Sequence, residues 1–173
     1  MDSAEQGRIE MLSPEQFEEF YAVTRSALRS YICRVARNTN IADDILQESY
    51  IRLLSAPPMR EMQRKSYLYR VATNLIVDYW RAQRRRQHWW QRSMPPEESY
   101  DPGLDLIADM HYLFAQISLQ ERMLLWLAYV EGATHREIAE TLNLKEQSVK
   151  VLLHRARRRM ENILQENGFE AKL

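Results

Sequence analysis

Residues 134–159, THREIAETLNLKEQSVKVLLHRARRR, decide how the rest of the chain is read. Thr134 stands where a helix cap belongs and Glu137 follows three residues later. At that spacing each side chain binds the other residue's backbone amide and satisfies donors that a helix start leaves orphaned. The pair marks a helix from Thr134 to about Thr141. Leu142, Asn143 and Leu144 come next. Asparagine enters the left-handed backbone conformation at small cost, and a sharp turn between helices needs a residue there. Leu142 and Leu144 are expected to point inward.

Beyond this turn Val149, Leu152, Leu153, Ala156, Met160 and Ile163 recur at helical spacing and mark one buried stripe. The opposite stripe carries Gln147, Lys150, Val151, His154, Arg157 and Arg158. Its polar groups can donate to phosphates and base edges, and Val151 offers an apolar contact for a thymine methyl. Between Lys145 and Arg159 six basic residues face the single acid Glu146, a local charge of +5. Period and charge together predict a helix-turn-helix whose second helix faces DNA. Read blandly, the same residues give a helical hairpin with a solvated basic face.

The order EIAETLNLKEQSVKVLLHRARRRM resembles the last domain of bacterial sigma factors, in particular the small extracytoplasmic-function (ECF) class. That resemblance implies recognition of the minus-thirty-five promoter element by Thr134, His135, Gln147, Lys150, Val151, His154, Arg155 and Arg158. Asn143 stands where the family usually has Gly, Lys145 where a Ser-type cap is usual, and Leu152 where Arg is frequent.

Composition sets the remaining bounds. The 173 residues include 24 basic and 24 acidic side chains, so nucleic-acid affinity must come from their distribution and not from the total. Basic residues gather at 81–92 and 145–159. A single cysteine, Cys33, excludes an internal disulfide, and its apolar helical setting beside Ile32 and Val35 reads as a small core residue. No apolar run approaches the ~20 residues of a membrane span, and MDSAEQGRIE lacks a signal-peptide profile. A soluble cytoplasmic protein without membrane insertion of its own is expected. His88, His111, His135 and His154 lack metal-ligand spacing and the four glycines form no phosphate loop, so no metal, cofactor or catalytic activity is expected.

Strand signals are nearly absent and the chain reads as all-α. Ser13 caps a long helix with Pro14 at its first position and Gln16 completing the box, and Asn38-Thr39-Asn40 breaks it. A second helix runs from about Ile41 to Leu54, before Pro57-Pro58. A third begins near Ser66 and is expected to bury Leu68, Val71, Leu75 and Tyr79, flanked by Ala72 and Ile76. SMPPEESYDPG, with three prolines, reads as a flexible linker over 93–103. It separates an N-terminal helical domain, 13–92, from a C-terminal one, 104–166. In the latter, helices run from Leu104 to about Ile117 and from Ser118, boxed with Glu121, to about Glu131, where Gly132 ends the second.

The second helix, ADDILQESYIRLL, sets Asp44, Gln47, Glu48 and Arg52 on one face. By pattern this is a solvated face with a Glu48–Arg52 ion pair. It also resembles the sigma-factor helix that docks on core RNA polymerase, which implies that role for Asp44, Gln47, Glu48 and Arg52, with Asp43 as a supporting acid. The third helix and its extension, YLYRVATNLIVDYWRAQRRRQHWW, interleave aromatic and arginine side chains with no acid between Asp78 and Glu97. Cations that track a backbone beside rings that stack on unpaired bases suit single-stranded nucleic acid. Packing of Trp89 and Trp90 against the linker is the plain alternative. The segment resembles the part of sigma that opens the minus-ten element, implying DNA contacts by Asn74, Asp78, Tyr79, Trp80, Arg81, Arg84, Arg85 and Arg86.

Taken in order, the motifs imply a sigma factor with two partners, core RNA polymerase and promoter DNA. The family resemblance adds an anti-sigma factor, often membrane-bound. A stand-alone helix-turn-helix regulator that binds duplex DNA without polymerase is the alternative.

Overall fold

The computed structural model describes residues 12–90 and 113–169, with the backbone alone for 87–90. The expected linker and most of the helix expected from Leu104 lie outside these residues. Packing divides the chain into two units, Met1–Trp89 and Trp90–Leu173, and every regular element among the described residues is a helix.

The first unit holds α1 (Pro14–Ala36), α2 (Ala42–Leu54) and α3 (Glu61–Trp90). The Ser13 hydroxyl accepts the Gln16 amide and the Gln16 side chain accepts the Ser13 amide, so α1 opens on the expected box. Its end falls earlier than the Asn-Thr-Asn triplet. Arg37 takes the left-handed turn itself, at φ 56° and ψ 30°, and its amide donates to the Cys33 carbonyl at 3.0 Å. Asn38 is otherwise engaged, because its Oδ1 accepts the Asn40 amide at 2.9 Å and its Nδ2 donates to the Tyr79 hydroxyl at 2.8 Å. No side chain caps α2; Asp43 and Asp44 in its first turn offset the positive end of the helix dipole instead.

Two expectations for the third helix need correction. It starts at Glu61, five residues before Ser66, because Gln63 Oε1 accepts the Arg60 amide (3.3 Å) and the Arg60 carbonyl accepts the Gln63 amide (2.9 Å), closing a turn just past Pro57-Pro58. Its buried stripe is also rotated. Leu68, Ala72 and Ile76 are fully buried, with Tyr69, Val71 and Thr73 nearly so, while Leu75 and Tyr79 are half-buried. The pull comes from α1. The Tyr31 hydroxyl lies 2.7 Å from Thr73 Oγ1 and its ring 5.2 Å from that of Tyr69, which draws a polar and an aromatic residue inward.

A second polar strut joins α1 to α2. Thr24 Oγ1 donates to the Phe20 carbonyl at 2.6 Å, so the Tyr50 hydroxyl, 2.7 Å away, serves as donor to Thr24. Burial raises the Tyr50 hydroxyl above its ordinary tyrosine value, against a smaller opposing effect of this hydrogen bond.

In the second unit residues 113–115 are helical, followed by α4 (Leu119–Tyr129), α5 (His135–Leu142) and α6 (Glu146–Glu166). Ser118 with Glu121 and Thr134 with Glu137 form reciprocal capping boxes, and Asn143 ends α5 at φ 52° and ψ 50°. The fourth helix stops at Tyr129, short of Glu131, and Gly132 turns the chain at φ 64°, letting the Ala133 amide reach the Leu127 carbonyl at 2.9 Å. Leu113, Ile117, Leu125, Ala156 and Ile163 form one core, with Met160 packed against it.

Arg37 carries the cost of a left-handed backbone without glycine's freedom, while its side chain is exposed. Arg37→Gly is therefore expected to stabilise the first unit by up to about 1 kcal/mol in denaturant unfolding, net of glycine's extra chain entropy.

Candidate nucleic-acid and partner interfaces

The apolar stripe of α6 is inside as its period requires: Val149, Leu153, Ala156 and Ile163 are buried, and Leu152 and Met160 half-buried. The other side of the helix is therefore turned out. Gln147, Lys150, Val151, His154, Arg155, Arg157 and Arg158 are all exposed. Val151 is 50% exposed, an apolar side chain left in water amid cations. Arg157 is held by Glu161 at 3.4 Å, and Arg136 on α5 by Glu140 at 3.2 Å. Among the described residues no acid pairs with Lys150, Arg155 or Arg158, so their charge is left facing solvent. Lys145 precedes α6 in extended conformation with no side-chain cap, and in this first turn its carbonyl accepts the Ser148 amide at 2.9 Å.

The start of α5 is occupied differently. Glu137 Oε2 accepts both the Thr134 amide and the Thr134 hydroxyl at 2.8 Å, so Thr134 is spent on its own cap. A carboxylate beside a helix N-terminus also opposes the attraction of that end for phosphate. His135, next in the chain, is exposed.

On α3, Asn74, Asp78, Arg81 and Arg85 follow one another at spacings of four, three and four residues and are all exposed, which places them on one face with Arg84 and Arg86 beside it. Asp78 tempers this face, lying 3.6 Å from Arg81. Tyr79 is not on it. Its hydroxyl accepts from Asn38 Nδ2 and from Gln83 Nε2, both at 2.8 Å, so it works as a strut between the α1–α2 turn and α3. Trp80 is half-buried, edge-on to Tyr79 at 5.7 Å between ring centroids. Its Nε1 is buried without a hydrogen-bond partner among the described residues. Trp89 and Trp90 have no described side chains.

On α2, Asp44, Gln47 and Arg52 are exposed and Glu48 half-exposed. Arg52 Nε meets Glu48 Oε1 at 2.7 Å, so the intrahelical pair expected from the spacing is present. Asp43 points elsewhere. It accepts two hydrogen bonds from Arg29 of α1, at 2.7 and 3.2 Å, and that bonding holds its carboxyl below the usual aspartate range. This contribution is present above the ordinary aspartate pKa and lost as pH falls through the lowered one. Sequence reasoning missed Ile51. It is 48% exposed, one turn beyond Gln47 and on the same side, which gives a polar stripe an apolar centre. The signal available was an isoleucine in register with the polar stripe and out of register with Ile45, Leu46, Tyr50 and Leu53.

Cys33 is half-buried, and desolvation pushes its thiol above the ordinary value, against a smaller lowering by Arg29. Among the described residues no cluster of histidine, cysteine and carboxylate side chains suits a metal ion, and no helix is long and apolar enough to cross a membrane.

Comparison with known proteins identifies both units. Residues 20–86 match the family model described as Sigma-70 region 2, and residues 108–160 match Sigma-70, region 4. The chain belongs to the sigma-70 family, in its ECF group. The ECF RNA polymerase sigma factor SigL of Mycobacterium tuberculosis is 31% identical over 154 residues, spanning 83% of this chain and 85% of SigL. Among solved structures, the sigma factor RpoE in complex with the anti-sigma factor NepR from Bartonella quintana aligns with a TM-score of 0.74 at 18% identity, covering 87% of this chain and 98% of that one. CnrH in complex with the cytosolic domain of CnrY aligns at 0.67 and 18% identity, over 90% of this chain and 92% of that one. At such identities the two structures speak for the fold.

Proposed function

We propose that this chain is an alternative sigma factor, which joins core RNA polymerase and directs it to a particular set of promoters in the cytoplasm, with no catalysis of its own. The observation that carries this reading is the occurrence, in order in one chain, of the two sigma regions, each with an outward face of suitable chemistry. A stand-alone duplex-binding regulator has no need of the first region and is not favoured.

In this reading Asp44, Gln47, Glu48 and Arg52 hold core polymerase, and Ile51 adds a contact that loses water on docking. Asp43 acts indirectly by fixing α2 to α1 through Arg29. Asn74, Asp78, Arg81, Arg84, Arg85 and Arg86 meet the minus-ten DNA. Tyr79 and Trp80 support that face, with the exposed part of the Trp80 ring meeting an unstacked base. The α6 stripe of Gln147, Lys150, Val151, His154, Arg155 and Arg158 enters the major groove of the minus-thirty-five element, and Thr134 and His135 flank its phosphates. The domain limits are 13–92 and 104–166, with 93–103 as a tether. An anti-sigma factor is a further partner, supported by the similar sigma factor RpoE solved with its anti-sigma factor NepR; the similar CnrH, solved with the cytosolic domain of CnrY, favours a membrane-bound one.

Three experiments test these roles. Purified chain added to core polymerase is expected to start transcripts from a subset of genomic fragments, and Glu48→Arg to weaken its retention on core by roughly 30-fold or more, the scale of a reversed charge in a polar interface. Retention unchanged by that reversal would remove the α2 face from the account. Lys150→Ala should lower affinity for the minus-thirty-five duplex and reduce the slope of log affinity against log salt by about 1 if the ammonium neutralises one phosphate. Trp80→Ala should depress permanganate reactivity of the melted promoter more than it depresses the gel shift; equal losses would assign Trp80 to packing alone.

A further inference from the structure

Ile76 is the last buried residue of α3; from Val77 to Arg86 every one is half-buried or exposed. The stretch that carries Asp78, Trp80, Arg81 and Arg85 therefore takes little of its orientation from the apolar core. Trp80 does not anchor itself either. Its Nε1 is buried without a hydrogen-bond partner among the described residues, so its ring is set by packing, edge-on to Tyr79 at 5.7 Å.

Tyr79 has an anchor, and it comes from outside the helix. Asn38, in the turn between α1 and α2, donates from Nδ2 to the Tyr79 hydroxyl at 2.8 Å, across 41 residues of sequence. The direction of that amide is settled by its other end: Oδ1 accepts the Asn40 amide at 2.9 Å, which leaves the nitrogen to face Tyr79. Gln83, one turn further along α3, donates to the same hydroxyl at 2.8 Å. Two side-chain amides thus meet at one hydroxyl, and Trp80 lies against the ring that bears it.

We infer that Asn38 is a positioning residue for minus-ten recognition: held by its own turn, it fixes Tyr79, and through Tyr79 the Trp80 ring and the rotation of α3 beyond the core. The inference rests on the sigma-factor reading above and adds to it a residue that belongs to none of the faces assigned there. Asn38 itself stays off the DNA. Its effect is preorganisation, since a ring already in place gives up less freedom when it engages an unstacked base.

Promoter opening by the holoenzyme, read as permanganate reactivity over the minus-ten element, tests this beside retention on core polymerase. Asn38→Ser keeps a hydroxyl that can accept the Asn40 amide but is too short to reach Tyr79. It should lower opening about fivefold, the factor set by one neutral hydrogen bond of ordinary strength, and leave core retention as it was. Tyr79→Phe should lower opening at least as far, and the double variant no further than Tyr79→Phe alone. Asn38→Asp should keep opening near the wild-type level, because its carboxylate can accept both the Asn40 amide and the Tyr79 hydroxyl. Full opening with Asn38→Ser overturns the role of Asn38, as does an equal fall in core retention, the mark of a generally loosened domain. A wild-type holoenzyme that opens no promoter ends the sigma-factor reading itself, and this role with it.

Discussion

Burial of one stripe of α6 governs everything that the second unit can do. Val149 and Ala156 are fully enclosed and Leu153 and Ile163 nearly so, each of the larger ones contributing about 1.5–3 kcal/mol by leaving water. A helix has 3.6 residues per turn, so fixing those four positions fixes the azimuth of every other residue. Lys150, Val151, His154 and Arg158 are thereby placed in solvent on one side, at spacings of one and two turns. The helix needs an angle as well as an azimuth, and the left-handed Asn143 between α5 and α6 supplies it. A β-branched residue at that position would oppose the turn and change the angle at which α6 leaves α5.

In the first unit the equivalent constraint is polar. Two hydroxyl pairs, Tyr31 with Thr73 and Tyr50 with Thr24, are buried between helices, and each fixes the rotation of one helix against another in a way that apolar contacts alone do not. The Tyr31 pair determines which side of α3 goes inside and so which side faces out. Asn74, Asp78, Arg81 and Arg85 form a continuous exposed line because Thr73 and Ile76 have been turned inward. The Tyr79 strut extends the same registration to the α1–α2 turn. Side chains inside the unit thus determine the composition of its surface.

What was legible in the sequence were the features that depend on neighbours within four residues. The capping boxes at Ser13, Ser118 and Thr134, the Asn143 turn, the α6 stripe and the Glu48–Arg52 pair all belong to this kind. What escaped depends on partners far along the chain. The rotation of α3 comes from Tyr31, 42 residues before Thr73, and the engagement of Asp43 from Arg29, 14 residues earlier. Periodicity cannot report either one, because it identifies an apolar face without naming what meets it. The left-handed Arg37 escaped for a related reason: asparagine is the better left-handed residue, but Asn38 was recruited by Tyr79 and Asn40, leaving its neighbour to turn the chain.

The charge of the whole chain bears on how two such faces act together. With 24 basic and 24 acidic residues the molecule has no net attraction for DNA, and several cations of the outward faces are already paired: Arg52, Arg81, Arg136 and Arg157 each have an acid within 4 Å. These pairs and the zero net charge leave attraction for phosphate to the cations that have no acid partner among the described residues, such as Arg84, Arg85, Lys150, Arg155 and Arg158, and so limit it in each unit. On the proposed reading this weakness is what makes the chain selective. Joining two modest contacts in one chain turns the second into an intramolecular event, with effective concentrations near the millimolar range for short tethers. Both contacts are then made only where two promoter elements lie at the spacing that the polymerase enforces. A strongly basic chain would gain affinity everywhere and lose that dependence on spacing.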